Sequence, residues 1–222
     1  MNTNREPSRW KREHPVARAR LHAIVDVGVA ARVGWKPAEL ARAFLDGGAR
    51  LLQLRAKKLP SGAFLDLSDA LVALADGYEA GIIVNDRLDV ARLSGAAGVH
   101  VGQDDLPAAV AREQLGPAAI VGHSTHTVAQ VQSALAEPVS YIAVGPVFGT
   151  ATKDTGYNAV GLDFVSAATR LAGEFPIVAI GGVRLENART AIDAGAASVA
   201  VISDLLVGDP VERVKAFLRI LD

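Results

Sequence analysis

Eight short apolar runs, separated by segments with helical periodicity, constrain this 222-residue chain more than any other feature. The runs are LHAIVDV from Leu21, RLLQLR from Arg50, GIIVND from Gly81, GVHVG from Gly98, AIVGHS from Ala119, YIAVGP from Tyr141, PIVAIGG from Pro176 and SVAVIS from Ser198. The helical spacing is found in residues 37–46, 62–75, 127–135, 163–171, 185–194 and 210–220. Alternation of this kind predicts a parallel sheet, and eight such units predict a single closed (β/α)8 TIM barrel of the α/β class.

Composition supports one domain. Half of the residues are hydrophobic and only 5% are aromatic, which suits branched side chains in a buried parallel sheet covered by Ala-rich helices. The first 20 residues carry six basic and two acidic residues. We therefore predict a basic flexible tail over residues 1–20 and a catalytic barrel over residues 21–222.

Several functional classes are disfavoured. The net charge is −1, so nucleic acid is not an expected partner, and the absence of cysteine excludes disulfides and thiolate sites. No apolar run reaches the length of a membrane span, and the first residues lack the apolar stretch of a secretory signal. We expect a cytoplasmic protein that acts on small molecules away from membranes. A homo-oligomer is compatible with the sequence, but no segment identifies an interface.

An open doubly wound sheet is the competing architecture. No G-x-G-x-x-G follows the first strand, and the chain has no P-loop motif. Glycine-rich turns instead follow the sixth and seventh strands, including Gly181 and Gly182. Barrels often bind phosphate at their late loops, so these turns favour the barrel.

Polar residues follow the second strand. The period of a strand directs Gln53, Arg55 and Lys57 to one side. Two cations and an amide suit a diphosphate. The alternative is a strand end whose charges reach solvent.

Acidic residues follow the third and fourth strands, in Asn85-Asp86-Arg87 and Gln103-Asp104-Asp105. A diphosphate beside few cations usually requires Mg²⁺, which prefers carboxylates, and Asp86 with Asp105 could supply them. Helix capping by Asp86, and by Asp104 or Asp105, is the alternative.

The fifth strand leads into His123-Ser124-Thr125-His126. We reject a Ser/His nucleophile, because there is no G-x-S-x-G elbow and no evident third residue that would orient a base. Ser124 is better explained as a hydroxyl donor to phosphate or diphosphate. His126 could equally be a packed or solvated residue, and two histidines are too few for a transition-metal site.

The late loops complete a predicted phosphate site. The loop GPVFGTATK carries Thr150, Thr152 and Lys153 after the sixth strand. With the Gly181-Gly182 turn and Ile202-Ser203, it could enclose a phosphate, although a plain surface loop is the alternative. We expect the following segment, residues 154–160, to be mobile and to close over substrates.

Taken together, the segments QLRAK, VNDR, HVGQDD, GHSTH, GPVFGTATK, IGGV and VIS resemble thiamine phosphate synthase from about Leu21 to the C-terminus. The resemblance implies an enzyme that joins a hydroxymethylpyrimidine diphosphate to a hydroxyethylthiazole phosphate, with Mg²⁺ as cofactor and release of diphosphate. It implies that the pyrimidine diphosphate is held by Gln53, Arg55, Lys57, Asn85, Ser124 and Lys153. It also implies that Asp86 and Asp105 bind Mg²⁺, and that the thiazole phosphate is held by Thr150, Thr152, Gly182, Ile202 and Ser203. Arg55, Lys57, Ser124 and Lys153 would form the catalytic set.

The sequence departs from that family at three positions. His22 and Val25 stand where Tyr and Thr are frequent, and Ala56 stands where an acidic residue is common. The LHAI start resembles the related thiazole tautomerase, an isomerase whose catalytic histidine would correspond to His126. Retention of both metal carboxylates favours the synthase over this isomerase. It also favours the synthase over a third hypothesis, a catalytically silent phosphate-binding barrel.

Overall fold

The strands form a closed barrel. The computed structural model describes residues 19–149 and 158–222. In chain order the strands are β1 (Leu21–Asp26), β2 (Leu51–Arg55), β3 (Gly81–Asn85), β4 (Gly98–Val101), β5 (Ile120–Thr125), β6 (Tyr141–Val144), β7 (Ile177–Ile180) and β8 (Ser198–Val201). Each strand pairs in parallel with the next, and β8 returns to β1. The TIM barrel predicted from the eight apolar runs is confirmed.

Helices cover the outside of the sheet. Within the described ranges they are α1 (Val27–Arg32), α2 (Pro37–Asp46), α3 (Ser61–Asp76), α4 (Leu88–Leu93), α5 (Ala108–Leu115), α6 (Val128–Leu135), α7 (Gly161–Ala172), α8 (Ala188–Asp193) and α9 (Pro210–Leu221), with a 3₁₀ turn over Ser203–Leu206. The six periodic segments identified in the sequence correspond to α2, α3 and α6 to α9. In the part of the chain that the structure describes, no helix combines the length and apolar character needed to cross a membrane.

Two apolar layers hold the barrel together. The outer layer lies between sheet and helices and includes Leu52, Val84 and Phe217. The inner layer fills the barrel with residues from nearly every strand, namely Ile24, Leu51, Ile83, Ile120, Tyr141, Ala143, Val178 and Ala200. Because side chains alternate along a strand, residues two positions beyond these face the same interior at the C-terminal ends of the strands. The sheet therefore carries its polar strand-end residues to one mouth.

Gly122 is required by packing inside the barrel. A Cβ atom at this position would lie 2.2 Å from Cζ of Tyr141 and 2.6 Å from Nδ1 of His100. Both distances are far below van der Waals contact, so only glycine leaves room for these two rings. The space matters because the rings form part of the site described below.

Candidate active site

A cavity of about 610 Å³ opens at the C-terminal ends of the strands. Its lining includes four residues predicted from the sequence, which are Ser124, Gly182, Ile202 and Ser203. These residues come from β5 and from the loops after β7 and β8, so barrel closure brings together segments that lie far apart in the chain. The C-terminal face is where barrel enzymes place their active sites.

The polar end of β2 is held by carboxylates from the neighbouring strands. The Arg55 guanidinium forms a salt bridge with Asp26, and the Lys57 ammonium forms one with Asp86. Gln53 is buried at the same end of the barrel. The alternative of charges that simply reach solvent does not hold for Arg55, which is 16% exposed and paired with Asp26, whereas Lys57 is paired with Asp86 but its side chain remains 50% exposed.

Sequence reasoning missed Asp26, which has two roles. One carboxylate oxygen bonds Arg55, while the other accepts a hydrogen bond of 2.9 Å from the Val29 backbone N–H and so caps α1. Its side chain is 7% exposed. The sequence does place an acidic residue, Asp26, at the end of the first strand. Parallel pairing of β1 with β2 in register brings it beside Arg55, so this contact could have been predicted.

Asp86 and Asp105 approach each other across the ends of β3 and β4. Burial raises the pKa of Asp105, the nearby Asp86 carboxylate raises it further, and a hydrogen bond of 2.7 Å from the Gly102 backbone N–H opposes the rise. Asp86 lies in the left-handed region with φ of 64°, and its own N–H donates to the His100 carbonyl at 2.8 Å. Two partly buried carboxylates held this close favour a cation between them.

The capping alternatives for these carboxylates are wrong. The N-cap of α4 is Arg87 and that of α5 is Pro107, and neither makes a side-chain capping bond. Within the described residues, no group of three or more His, Cys, Asp or Glu could hold a metal. Two carboxylates can contribute oxygen ligands to a divalent cation that takes its other ligands from elsewhere.

Asn85 ends β3 at the same mouth. It is 7% exposed and pairs in register with His100 of β4. Its position beside Asp86 agrees with the sequence expectation that the two act in one site. Its role as a ligand of the pyrimidine diphosphate stays a prediction.

Ser124 belongs to a buried hydrogen-bond chain that sequence reasoning did not find. Its Oγ lies 2.8 Å from Nε2 of His100, whose Nδ1 lies 2.8 Å from the Tyr141 hydroxyl. Gln53 also hydrogen-bonds the Tyr141 hydroxyl, and burial raises the pKa of that phenol. The prediction that no third residue would orient a base beside Ser124 was wrong. His100 lies beside Ser124, and Tyr141 orients His100.

The contacts seen for His100 among the described residues differ from those of a nucleophilic triad. In a triad, a carboxylate stabilises the imidazolium that forms when the serine proton is removed. Here Nδ1 of His100 bonds a phenol that stays protonated, which supplies no such charge. The Ser124 hydroxyl is therefore held in one orientation by His100, and its role as a hydroxyl donor to phosphate or diphosphate stays a prediction.

His126 is tied to the backbone. Its Nδ1 lies 2.5 Å from the Gly145 carbonyl, and its N–H donates to the Gln130 side chain at 2.7 Å. The residue lines the cavity but is partly buried. Of the packed and solvated alternatives for His126, these bonds favour the packed one.

The late loops contain a fixed turn. Gly181 and Gly182 have φ of 95° and 68°, and a Cβ atom on Gly182 would lie 2.6 Å from the Gly149 carbonyl oxygen. Both glycines therefore serve the close approach of the loops after β6 and β7. The predicted ligands Thr150, Thr152 and Lys153 lie outside the described residues, as do the proposed tail up to residue 18 and most of the segment 154–160.

Comparison with known proteins decides the family. A sequence model described as thiamine monophosphate synthase matches residues 21–205. The chain belongs to the thiamine monophosphate synthase family. Use of a divalent metal is compatible with this family.

Individual members of the thiamine monophosphate synthase family agree. The chain is 44% identical to thiamine-phosphate synthase of Koribacter versatilis over 91% of this chain and 95% of that protein. It is 43% identical to thiamine-phosphate synthase of Anaeromyxobacter dehalogenans over 87% and 85% of the two chains. A solved thiamine phosphate pyrophosphorylase from Pyrococcus furiosus superposes with a TM-score of 0.83 at 29% identity, covering 93% of this chain and 96% of that one. These findings give no support to the tautomerase alternative.

Proposed function

We propose that this chain is a thiamine-phosphate synthase. The C–O bond between the pyrimidine methylene carbon and diphosphate breaks, and the thiazole ring nitrogen forms a new C–N bond to that carbon. The products are thiamine phosphate and diphosphate, so the enzyme is a transferase. Family membership over residues 21–205 carries this proposal, and the meeting of cationic and acidic residues at one barrel mouth supports it.

The diphosphate is held by residues at the ends of β2, β3 and β5. Gln53, Arg55, Lys57, Asn85 and Ser124 bind it, and Lys153 contacts it from the loop after β6. The Arg55 fork can bind two oxygens at once, while Lys57 acts as a point charge. Because Lys57 bonds Asp86, cation binding at Asp86 would free its ammonium for the substrate.

Asp86 and Asp105 hold Mg²⁺. When bound, the ion neutralises charge on the diphosphate oxygens and so makes diphosphate a better leaving group. Burial is the main cause of the raised pKa of Asp105, and the neighbouring Asp86 carboxylate adds to it, so a cation bound at this pair would relieve the repulsion between the two groups. The remaining coordination positions suit substrate oxygens and water.

The thiazole phosphate is held by the late loops. Gly182, Ile202 and Ser203 line the cavity. Thr150 and Thr152 are further ligands in this proposal, as the family resemblance implies. Positive φ angles at Gly181 and Gly182 let the backbone approach a phosphate closely. This position directs the thiazole nitrogen toward the pyrimidine carbon at the centre of the mouth.

No protein nucleophile is needed. The aminopyrimidine delocalises the positive charge that develops as diphosphate leaves, so the loss is dissociative. Arg55, Lys57 and Lys153 stabilise the departing anion, and Ser124 is held by His100 in one orientation for hydrogen bonding. Catalysis is then mainly positioning and electrostatics. The enzyme acts on these two small molecules in the cytoplasm, and nothing in this mechanism requires a particular oligomeric state.

The test is direct. Purified protein is mixed with the pyrimidine diphosphate, the thiazole phosphate and Mg²⁺, and thiamine phosphate is measured with and without a chelator. Product that disappears with chelator is expected. A folded sample that forms no product would overturn the proposal, and product unaffected by chelator would overturn the metal assignment.

A further inference from the structure

Four charged side chains line the same cavity as Gly182 and Ser203. Arg184 and Glu186 lie between β7 and α8, Asp204 lies in the 3₁₀ turn after β8, and Arg213 lies in the first turn of α9. The proposed function gives none of them a role. A phosphate monoester is an anion, so the question is which of the two guanidinium groups is available to it.

The Arg213 guanidinium forms ion pairs with two carboxylates, those of Asp204 and Glu186. Its Nη2 and Nε lie 2.6 and 3.2 Å from Oδ2 of Asp204, and Nη2 lies 3.5 Å from Oε1 of Glu186. Its Nε also donates to the Asp204 carbonyl at 3.2 Å, and its side chain is only 16% exposed. A ligand that recruited Arg213 would have to break these bonds and leave Asp204 as an unpaired, largely buried anion.

The turn that carries Arg184 is rigid. Asn187 spans it, because its Oδ1 accepts from the Arg184 N–H at 2.7 Å and its Nδ2 donates to the Gly182 carbonyl at 3.1 Å. Asp204 adds a third bond by accepting from the Leu185 N–H at 3.0 Å. The backbone N–H groups of Arg184 and Leu185 are therefore both occupied. The group of Arg184 that remains available to a ligand is its guanidinium.

The Arg184 side chain is exposed at the cavity and forms no ion pair within residues 19–149 and 158–222. Arg213, by contrast, is largely buried and paired with Asp204. A guanidinium matches the geometry of phosphate oxygens, and a fixed backbone lowers the conformational freedom that binding must remove. Its position two residues after Gly182 places it beside the proposed phosphate site.

We propose that Arg184 binds the phosphate group of the thiazole substrate. The inference rests on the proposed function, and it adds a charged ligand to a subsite otherwise built from backbone and hydroxyl groups. Arg213 and Asp204 hold the turn in place without contacting the phosphate. Arg184 thus selects the phosphorylated thiazole over the free alcohol.

The variant Arg184→Gln tests this, with Arg189→Gln as the matched control. Arg189 is an exposed arginine of α8 that pairs with Asp193 and lies outside the cavity lining. Loss of one charge-assisted contact predicts a KM for thiazole phosphate about 10-fold higher in Arg184→Gln. The KM for pyrimidine diphosphate, and kcat at saturation, should stay within about 2-fold of wild type in both variants.

A second substrate separates phosphate recognition from a structural effect. With the thiazole alcohol, which lacks the phosphate, Arg184→Gln and wild type should have similar kcat/KM, so the preference for the phosphorylated substrate falls about 10-fold. Equal losses with both substrates, or no loss with either, would overturn the inference.

Calorimetry keeps this test distinct from that of the proposed function. Wild type that binds thiazole phosphate but forms no product would overturn the synthase proposal, while a weaker Kd in Arg184→Gln would still support Arg184. An unchanged Kd would overturn Arg184 alone. Wild type that fails to bind thiazole phosphate would overturn both.

Discussion

The Asp26 carboxylate accepts one hydrogen bond from the Arg55 side chain and another from the Val29 N–H. One buried anion thereby orients a proposed diphosphate ligand on β2 and begins α1. Asp26→Asn keeps an oxygen that can cap the helix but removes the charge. We expect kcat/KM for pyrimidine diphosphate to fall about 10-fold, and the free energy of unfolding to fall by about 3 kcal/mol because the largely buried Arg55 loses its counter-ion.

Asp26→Ala is the companion variant. It removes both bonds and should lower the free energy of unfolding by about 2 kcal/mol more than Asp26→Asn does. Steady-state kinetics and urea denaturation measure the two effects. Full activity in Asp26→Asn would show that Arg55 needs no charged partner.

Asp86→Asn should remove Mg²⁺-dependent condensation. Asparagine tolerates the left-handed backbone at this position, so the substitution changes the charge with little strain. We expect kcat/KM to fall by about 100-fold and the Mg²⁺ concentration for half-maximal rate to rise. The matched control is Asp89→Asn, an exposed carboxylate paired with Arg87, which should remain within about 2-fold of wild type. Unchanged activity in Asp86→Asn at limiting Mg²⁺ would contradict the metal assignment.

Tyr141→Phe should weaken both stability and activity. It removes the hydroxyl that bonds Nδ1 of the buried His100, and an unsatisfied buried polar group costs about 1 to 3 kcal/mol of the free energy of unfolding. Gln53 also loses a partner, and the His100 ring that orients Ser124 loses its second bond, so kcat/KM should fall several-fold. Tyr78→Phe provides the control, because that hydroxyl bonds the Asp46 carboxylate near the surface. Equal unfolding energies for the two variants would argue against a stabilising role of the buried chain.

His22 predicts a pH dependence of stability. It is fully buried, and burial lowers the pKa of its imidazole from 6.5 to about 3. Below pH 6.5 the imidazole is protonated in the unfolded chain but stays neutral in the folded protein. The contribution of His22 to the free energy of unfolding is therefore fully present above pH 6.5 and is lost as the pH falls toward 3. The slope from this one group approaches about 1.4 kcal/mol per pH unit.

His22→Gln should flatten that dependence. Urea denaturation of both proteins between about pH 7 and 4.5 measures the difference in slope, which isolates this histidine from the carboxylates that titrate in both. Parallel stability curves would mean that His22 is protonated in the folded protein.

Much of the fold could be read from local pattern. Each strand is a short apolar run, and α2 was predicted with its observed bounds. Helices α1, α4 and α5 were not predicted as periodic segments, and their length alone does not explain this, because α6 and α8 are equally short and were predicted. The polar strand-end residues were found for the same local reason, since each directly follows its own strand.

Contacts between strands could not be read in this way. Arg55 lies 29 positions from Asp26, and Tyr141 lies 41 positions from His100, yet each pair is bonded. The eight strands, six of the helices and the polar residues that follow the strands could be predicted locally, because they depend on periods of two and 3.6 residues. Contacts across the closed barrel place Asp26 against Arg55 and bring His100 and Tyr141 to Ser124. They also pair Asp204 with Arg213 and leave Arg184 exposed. These choices follow from barrel closure and the volume available inside it, which bring distant residues to one mouth.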